Sequence, residues 1–76
     1  EEGAVDRMSY NEIMSAVMEM PPGFRAVFNL YVMEGFSHKE IAEMLGITES
    51  TSRTQLSRGR IWLQNRINEM TGRTGR

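Results

Sequence analysis

The stretch SHKEIAEMLGITESTSRTQLSRGR, residues 37–60, reads as two helices joined by a tight turn. Ser37, followed three residues later by Glu40, forms a capping box, and Phe36 and Ile41 stand where a hydrophobic staple closes over it. A helix is therefore predicted to begin at His38. Ile41, Ala42, Met44 and Leu45 give it an apolar stripe, and Gly46 supplies the residue that most cheaply takes the left-handed conformation ending a helix. Thr48 follows as an N-cap candidate. No proline stands between Glu49 and Met70, so the second helix is predicted to run long, from Glu49 to Met70. A short helix, a glycine-containing turn and a longer second helix make the helix-turn-helix pattern.

At about 100° per residue the second helix divides into two chemically different faces. Leu56, Gly59, Leu63, Ile67 and Met70 fall on one side. Ser50, Thr54, Ser57 and Arg58 fall on the other, with Arg53 and Arg60 on its flank. The polar face lies in the N-terminal half, the part a major groove admits. Its short hydroxyls let the backbone approach base edges, and its arginines can fork onto guanine or phosphate. Free backbone N–H groups at the helix start offer a further phosphate site. A merely solvated helix face is the plainer reading of the same stripe. The capped helix before it, the glycine turn and the charge distribution weigh against that.

Working back toward the N-terminus, residues 1–8, EEGAVDRM, have no period and read as the end of a linker from an upstream domain. Ser9 with Glu12 forms a second capping box and Met8 with Ile13 a second staple, which predicts a helix over residues 10–19. Ile13, Val17 and Met20 form its inner face, with Met14 and Ala16 beside them. Met20-Pro21-Pro22-Gly23 breaks it, since proline cannot continue a helix but suits the first turn of the next. In that next helix Phe24, Val27, Phe28 and Tyr31 follow the i, i+3, i+4, i+7 rule, Leu30, Val32 and Met33 broaden the stripe, and Gly35 ends it after Glu34. Residues 71–76, TGRTGR, hold no hydrophobe and read as a frayed tail. The helix-turn-helix domain then spans residues 9–70.

Composition limits what such a domain can do. With 76 residues there is room for one small helical core and none for a deep enzyme cleft. Zero cysteine excludes a disulfide framework, thiolate metal sites and a cysteine nucleophile, and favours a reducing, cytoplasmic setting. No apolar run reaches the roughly 18 residues of a membrane span. The single histidine, His38, stands without ligands at metal spacing or a nucleophile to activate, so neither a cofactor, a metal site nor a catalytic pair is expected. His38 is read as a surface residue near a helix start.

Net charge is −1, but that average hides a segregation along the chain. Residues 1–50 carry three basic side chains against nine acidic ones, whereas residues 51–76 carry six arginines against Glu69 alone. Basic charge confined to one end makes a local positive patch, and the acidic remainder repels DNA and enforces one docking orientation. Eight of the nine basic residues are arginine, which favours bidentate recognition over diffuse attraction.

The run from Phe24 to Ile67 resembles the C-terminal promoter-recognition domain, region 4, of bacterial sigma-70 family factors, especially the extracytoplasmic-function group. Met20-Pro21-Pro22 precedes the aromatic helix, Gly35-Phe36-Ser37-His38-Lys39-Glu40-Ile41-Ala42 opens the motif, and Leu45-Gly46-Ile47, Thr51 and Arg58-Gly59-Arg60 continue it. The resemblance implies an all-α fold: a small four-helix domain with a helix-turn-helix, winged-helix-like in its layout and without strands. It also implies binding to the −35 promoter element within the RNA polymerase holoenzyme. By that likeness Arg53, Thr54, Ser57 and Arg58 face DNA and Thr51 lies near phosphate; Lys39 and Arg60 are further candidates for backbone anchors, and Ser50 lines the same face. Many members have glycine where Ser50 stands and valine or isoleucine where Ser52 stands, so helix entry and local packing are expected to differ here.

Partners implied by the resemblance are double-stranded promoter DNA, the flap of the polymerase β subunit and an anti-sigma factor. Met14, Met18, Met33, Met44 and Met70 are expected to fill gaps in the core, with a groove for a partner helix as the alternative. Ile61 is expected to be an exposed hydrophobe beside the DNA face, and Trp62 to pack on the first helix. Two other functions fit the pattern: the output domain of a response regulator, and a protein-interaction module that does not read DNA.

Overall fold

The computed structural model describes residues 9–72. Four helices follow in order: α1 (Tyr10–Met18), α2 (Pro22–Phe28, continued by a π-helical stretch, Asn29–Met33), α3 (His38–Leu45) and α4 (Glu49–Met70). No strand occurs among the described residues. The linker assigned to residues 1–8, with its Met8 staple, lies outside them, as do residues 73–76 of the tail.

Each helix start is set by its own first turn. Ser9 and Glu12 exchange the two hydrogen bonds of a capping box, and Ser37 and Glu40 do the same for α3. Thr48 Oγ1 accepts from the Thr51 amide at 3.0 Å to cap α4. Gly46, at φ 70°, closes α3 in the left-handed region, where a side chain would be strained. Arg25 adds a closure not anticipated from sequence: its Nη1 donates to the Met18 carbonyl at 2.7 Å, covering the end of α1.

α4 is the axis, and the other three helices all pack against it. Ser52, Leu56, Gly59, Leu63 and Ile67 form its buried row. Against that row lie Ala16, Val17 and Met20 from the α1 end, Val27 and Phe28 from α2 and Ile41 from α3. Gly59 sits where the start of α2 crosses. A β-carbon there would come within 3.2 Å of both the Met20 methyl and the Phe24 β-carbon, so the two backbones are as close as they are because Gly59 has no side chain.

Three expectations about the core need correction. Helix α2 does not stay α-helical to Glu34: the Glu34 amide reaches back to the Asn29 carbonyl at 3.0 Å, the longer loop of a π turn. That wider winding rotates Val32 and Met33 off the buried stripe, and both are exposed. Among the methionines, Met20 is buried and Met14 and Met70 pack at the core edge, whereas Met18, Met33 and Met44 are exposed and fill nothing. α3 is only about two turns long, so a stripe that includes Ile41, Ala42, Met44 and Leu45 is too broad to turn inward as a whole. Ile41 and Ala42 are buried, and Met44 and Leu45 face solvent.

α1 and α4 are also tied by charge. Arg66 Nε donates to Glu19 Oε1 at 2.6 Å and Nη2 to Oε2 at 3.4 Å, with Glu69 at 3.5 Å on the other side. The hydrogen bond from Arg66 holds the Glu19 carboxyl below its usual 4.5. A carboxyl lowered on folding stabilises above its unfolded pKa, and that contribution is lost as pH falls through the folded value. The melting temperature is therefore expected to drop as pH falls below 4.5. Glu19→Gln is expected to shrink that drop slightly, because the pair is half-exposed and screened. Identical pH curves for variant and parent would remove this contribution.

Candidate nucleic-acid interface

Opposite the buried row, the leading half of α4 is open. Ser50, Thr51, Arg53, Thr54, Ser57, Arg58 and Arg60 are all exposed, as is Lys39 on α3. The seven α4 candidates therefore share one exposed arc. Lys39 comes from the other helix, next in sequence to His38, whose ring meets Ser52 of α4 at 2.8 Å.

These side chains are not equally ready for a ligand. Arg53 Nη2 is held by Glu49 Oε1 at 3.3 Å across one turn, in a pair whose members are both well exposed. Such a pair is weak, so Arg53 can leave it at little cost. Among the described residues Arg58 and Arg60 form no ion pair. Thr51 has its amide on Thr48 Oγ1, and its own hydroxyl oxygen accepts from the Thr48 hydroxyl at 2.9 Å. Of the first-turn amides expected to be free for phosphate, only those of Glu49 and Ser50 remain without an acceptor inside the helix. The Glu49 carboxylate in that same first turn opposes an anion there.

Ile61 is 61 % exposed on the open side of α4, and Trp62 is half-buried against the core beside a shallow groove of about 260 Å³ shared with Asn65, Arg66 and Glu69. His38 differs from its expectation. It is not a free surface side chain: its ring stacks on Tyr31 with centroids 4.4 Å apart and 15° between planes, and Nδ1 bonds Ser52 Oγ. Local packing was expected to differ at Ser52, whose place four before Leu56 continues the 56, 59, 63, 67 row, but its bond to His38 was not anticipated. Among the described residues no cluster of histidine, cysteine or carboxylates could hold a metal, and no helix is long and apolar enough to cross a membrane.

A helix-turn-helix whose second helix offers hydroxyls and arginines to solvent is a groove-reading geometry. The family model for sigma-70, region 4, matches residues 10–63, which takes in every helix but the last turns of α4. The chain belongs to the sigma-70 region 4 family. That family is a DNA-binding helix-turn-helix domain without enzymatic activity, so the response-regulator alternative falls away. The chain is also 33 % identical over 63 residues to the ECF RNA polymerase sigma factor SigE of Mycolicibacterium smegmatis. The match covers 83 % of this region 4 chain and 24 % of that relative, so the chain spans about a quarter of the relative's length.

Proposed function

We propose that this region 4 domain reads the −35 element of promoters as part of an extracytoplasmic-function sigma factor of RNA polymerase. The observation that carries the reading is the exposed arc of Arg53, Thr54, Ser57 and Arg58 on a helix whose reverse face is fixed in the core. Arg53, Thr54, Ser57 and Arg58 lie near base edges or the adjacent phosphates, with Ser50 on the same face. Lys39, Thr51 and Arg60 act mainly as backbone anchors.

The polymerase β flap and an anti-sigma factor are proposed as protein partners, in the cytoplasm. Val32 and Met33 at the end of α2, with Met44 and Leu45 at the end of α3, are exposed apolar side chains suited to such docking. The basic patch is small, so isolated binding is weak. Linkage to an upstream domain and to polymerase raises the local concentration of the site.

Salt dependence tests the electrostatic half of this reading. If the arc neutralises four or five phosphates, log K falls with log salt at a slope of about −4. A titration of this chain against promoter duplexes that gives a slope near zero removes it.

A further inference from the structure

Among the described residues Ser52 is the one polar residue in the buried set, at 0 % exposure, and it immediately precedes Arg53 and Thr54. Its Oγ lies 2.8 Å from His38 Nδ1, and the His38 ring is backed by Tyr31 from the π-helical end of α2. Three elements are therefore linked in a row, Tyr31 to His38 to Ser52, ending at the turn of α4 that carries the DNA-facing side chains. Nothing in a four-helix bundle of this size requires a polar contact there.

The apolar row of α4 seats the helix in the core without directional bonds, so a small rotation of α4 costs less there than it does at a hydrogen bond. A hydrogen bond has a narrow range of length and angle, and this one has its Ser52 end fully buried. Rotation of α4 about its own axis swings Arg53, Thr54, Ser57 and Arg58 together, because all four hang on the same rod. Base edges tolerate little such misplacement, whereas phosphates tolerate much more.

We propose that the His38–Ser52 hydrogen bond, seated on Tyr31, is a positioning contact that sets the rotation of the recognition helix and through it the selectivity among DNA sequences. His38 and Ser52 need not touch DNA to do this. The inference rests on the DNA-reading function proposed above and adds residues outside the exposed arc.

Threonine and valine have the same shape and differ at this site by the hydroxyl, so Ser52→Thr and Ser52→Val separate the hydrogen bond from the volume. The wild-type chain is first used to select its best duplex from a randomised pool, and each variant is then measured on that duplex and on a scrambled one. Relative to Ser52→Thr, Ser52→Val is expected to lose about threefold to tenfold in the ratio of the two affinities, the worth of one hydrogen bond. Helix content and salt slope should stay unchanged, which a general loss of structure would not allow. His38→Phe, which keeps the ring over Tyr31 and removes the nitrogen, is expected to match Ser52→Val and serves if the position 52 variants fold poorly. Equal ratios for Ser52→Val and Ser52→Thr, or an unchanged ratio in His38→Phe, overturn the positioning role while leaving the DNA reading intact. A wild-type chain that, at concentrations saturating the selected pool, prefers no sequence over the scrambled duplex overturns both.

Discussion

Ile41→Ala is expected to lower the stability of the domain by about 2 to 5 kcal/mol and its melting temperature by roughly 10 to 30 °C. The size follows from where Ile41 stands. It has no exposure, and it is the only large side chain that α3 places in the core, since Ala42 is small and Met44 and Leu45 face solvent. α3 has eight residues, too few to be helical alone, so its attachment depends on that one side chain, the Phe36 staple and the His38 contact. A domain of 76 residues holds on the order of 8 kcal/mol at about 0.1 kcal/mol per residue, so the variant forfeits a large share of the whole. Thermal unfolding followed by far-UV circular dichroism measures it. A shift of only a degree or two would mean that α3 is held by something other than Ile41.

What could be read from sequence here divides by the range of the interaction. The starts of α1, α3 and α4 and the ends of α3 and α4 fall where predicted, because each is decided by hydrogen-bonding groups within a turn of each other: Ser9 with Glu12, Ser37 with Glu40, Thr48 with Thr51, Gly46 alone. The exposed arc of α4 was equally legible, since a long helix with Leu56, Leu63 and Ile67 inward must turn Thr54 and Arg58 outward. The π winding of Asn29–Met33 was not. Its apolar residues continue the α-helical pattern, and only the packed chain shows the last turn widened. The His38 contact was hidden for a related reason: Tyr31, His38 and Ser52 meet only after α2, α3 and α4 have docked, and no spacing along the chain encodes that. The Glu49–Arg53 pair, an i, i+4 spacing not singled out in the sequence, is formed at 3.3 Å, so Arg53 must leave Glu49 before it can meet a ligand.

Arg58→Ala is expected to weaken binding to a cognate duplex by about 1 to 3 kcal/mol, roughly fivefold to 150-fold, with no loss of fold. Folding should be indifferent because Arg58 is exposed and, among the described residues, has no hydrogen-bond or ion-pair partner to lose. That same freedom distinguishes it from Arg53, which must leave Glu49 first, and from Arg66, which is engaged by Glu19 and Glu69. On a single duplex alanine cannot tell a base reader from a phosphate anchor, since both lose a charge. Arg58→Lys can: it keeps the charge but not the planar fork that spans two acceptors on guanine. If Arg58 reads a base, the lysine variant keeps the salt slope of the parent and loses most of the preference for the cognate duplex over one changed at a single position. If Arg58 is an anchor, the lysine variant retains the preference, and alanine weakens all sequences alike while reducing the slope by about one. Fluorescence anisotropy on a panel of singly substituted duplexes separates the two. A domain that serves only as a protein-docking module would bind the whole panel equally poorly before and after either change, and that result would withdraw the groove-reading assignment of this face.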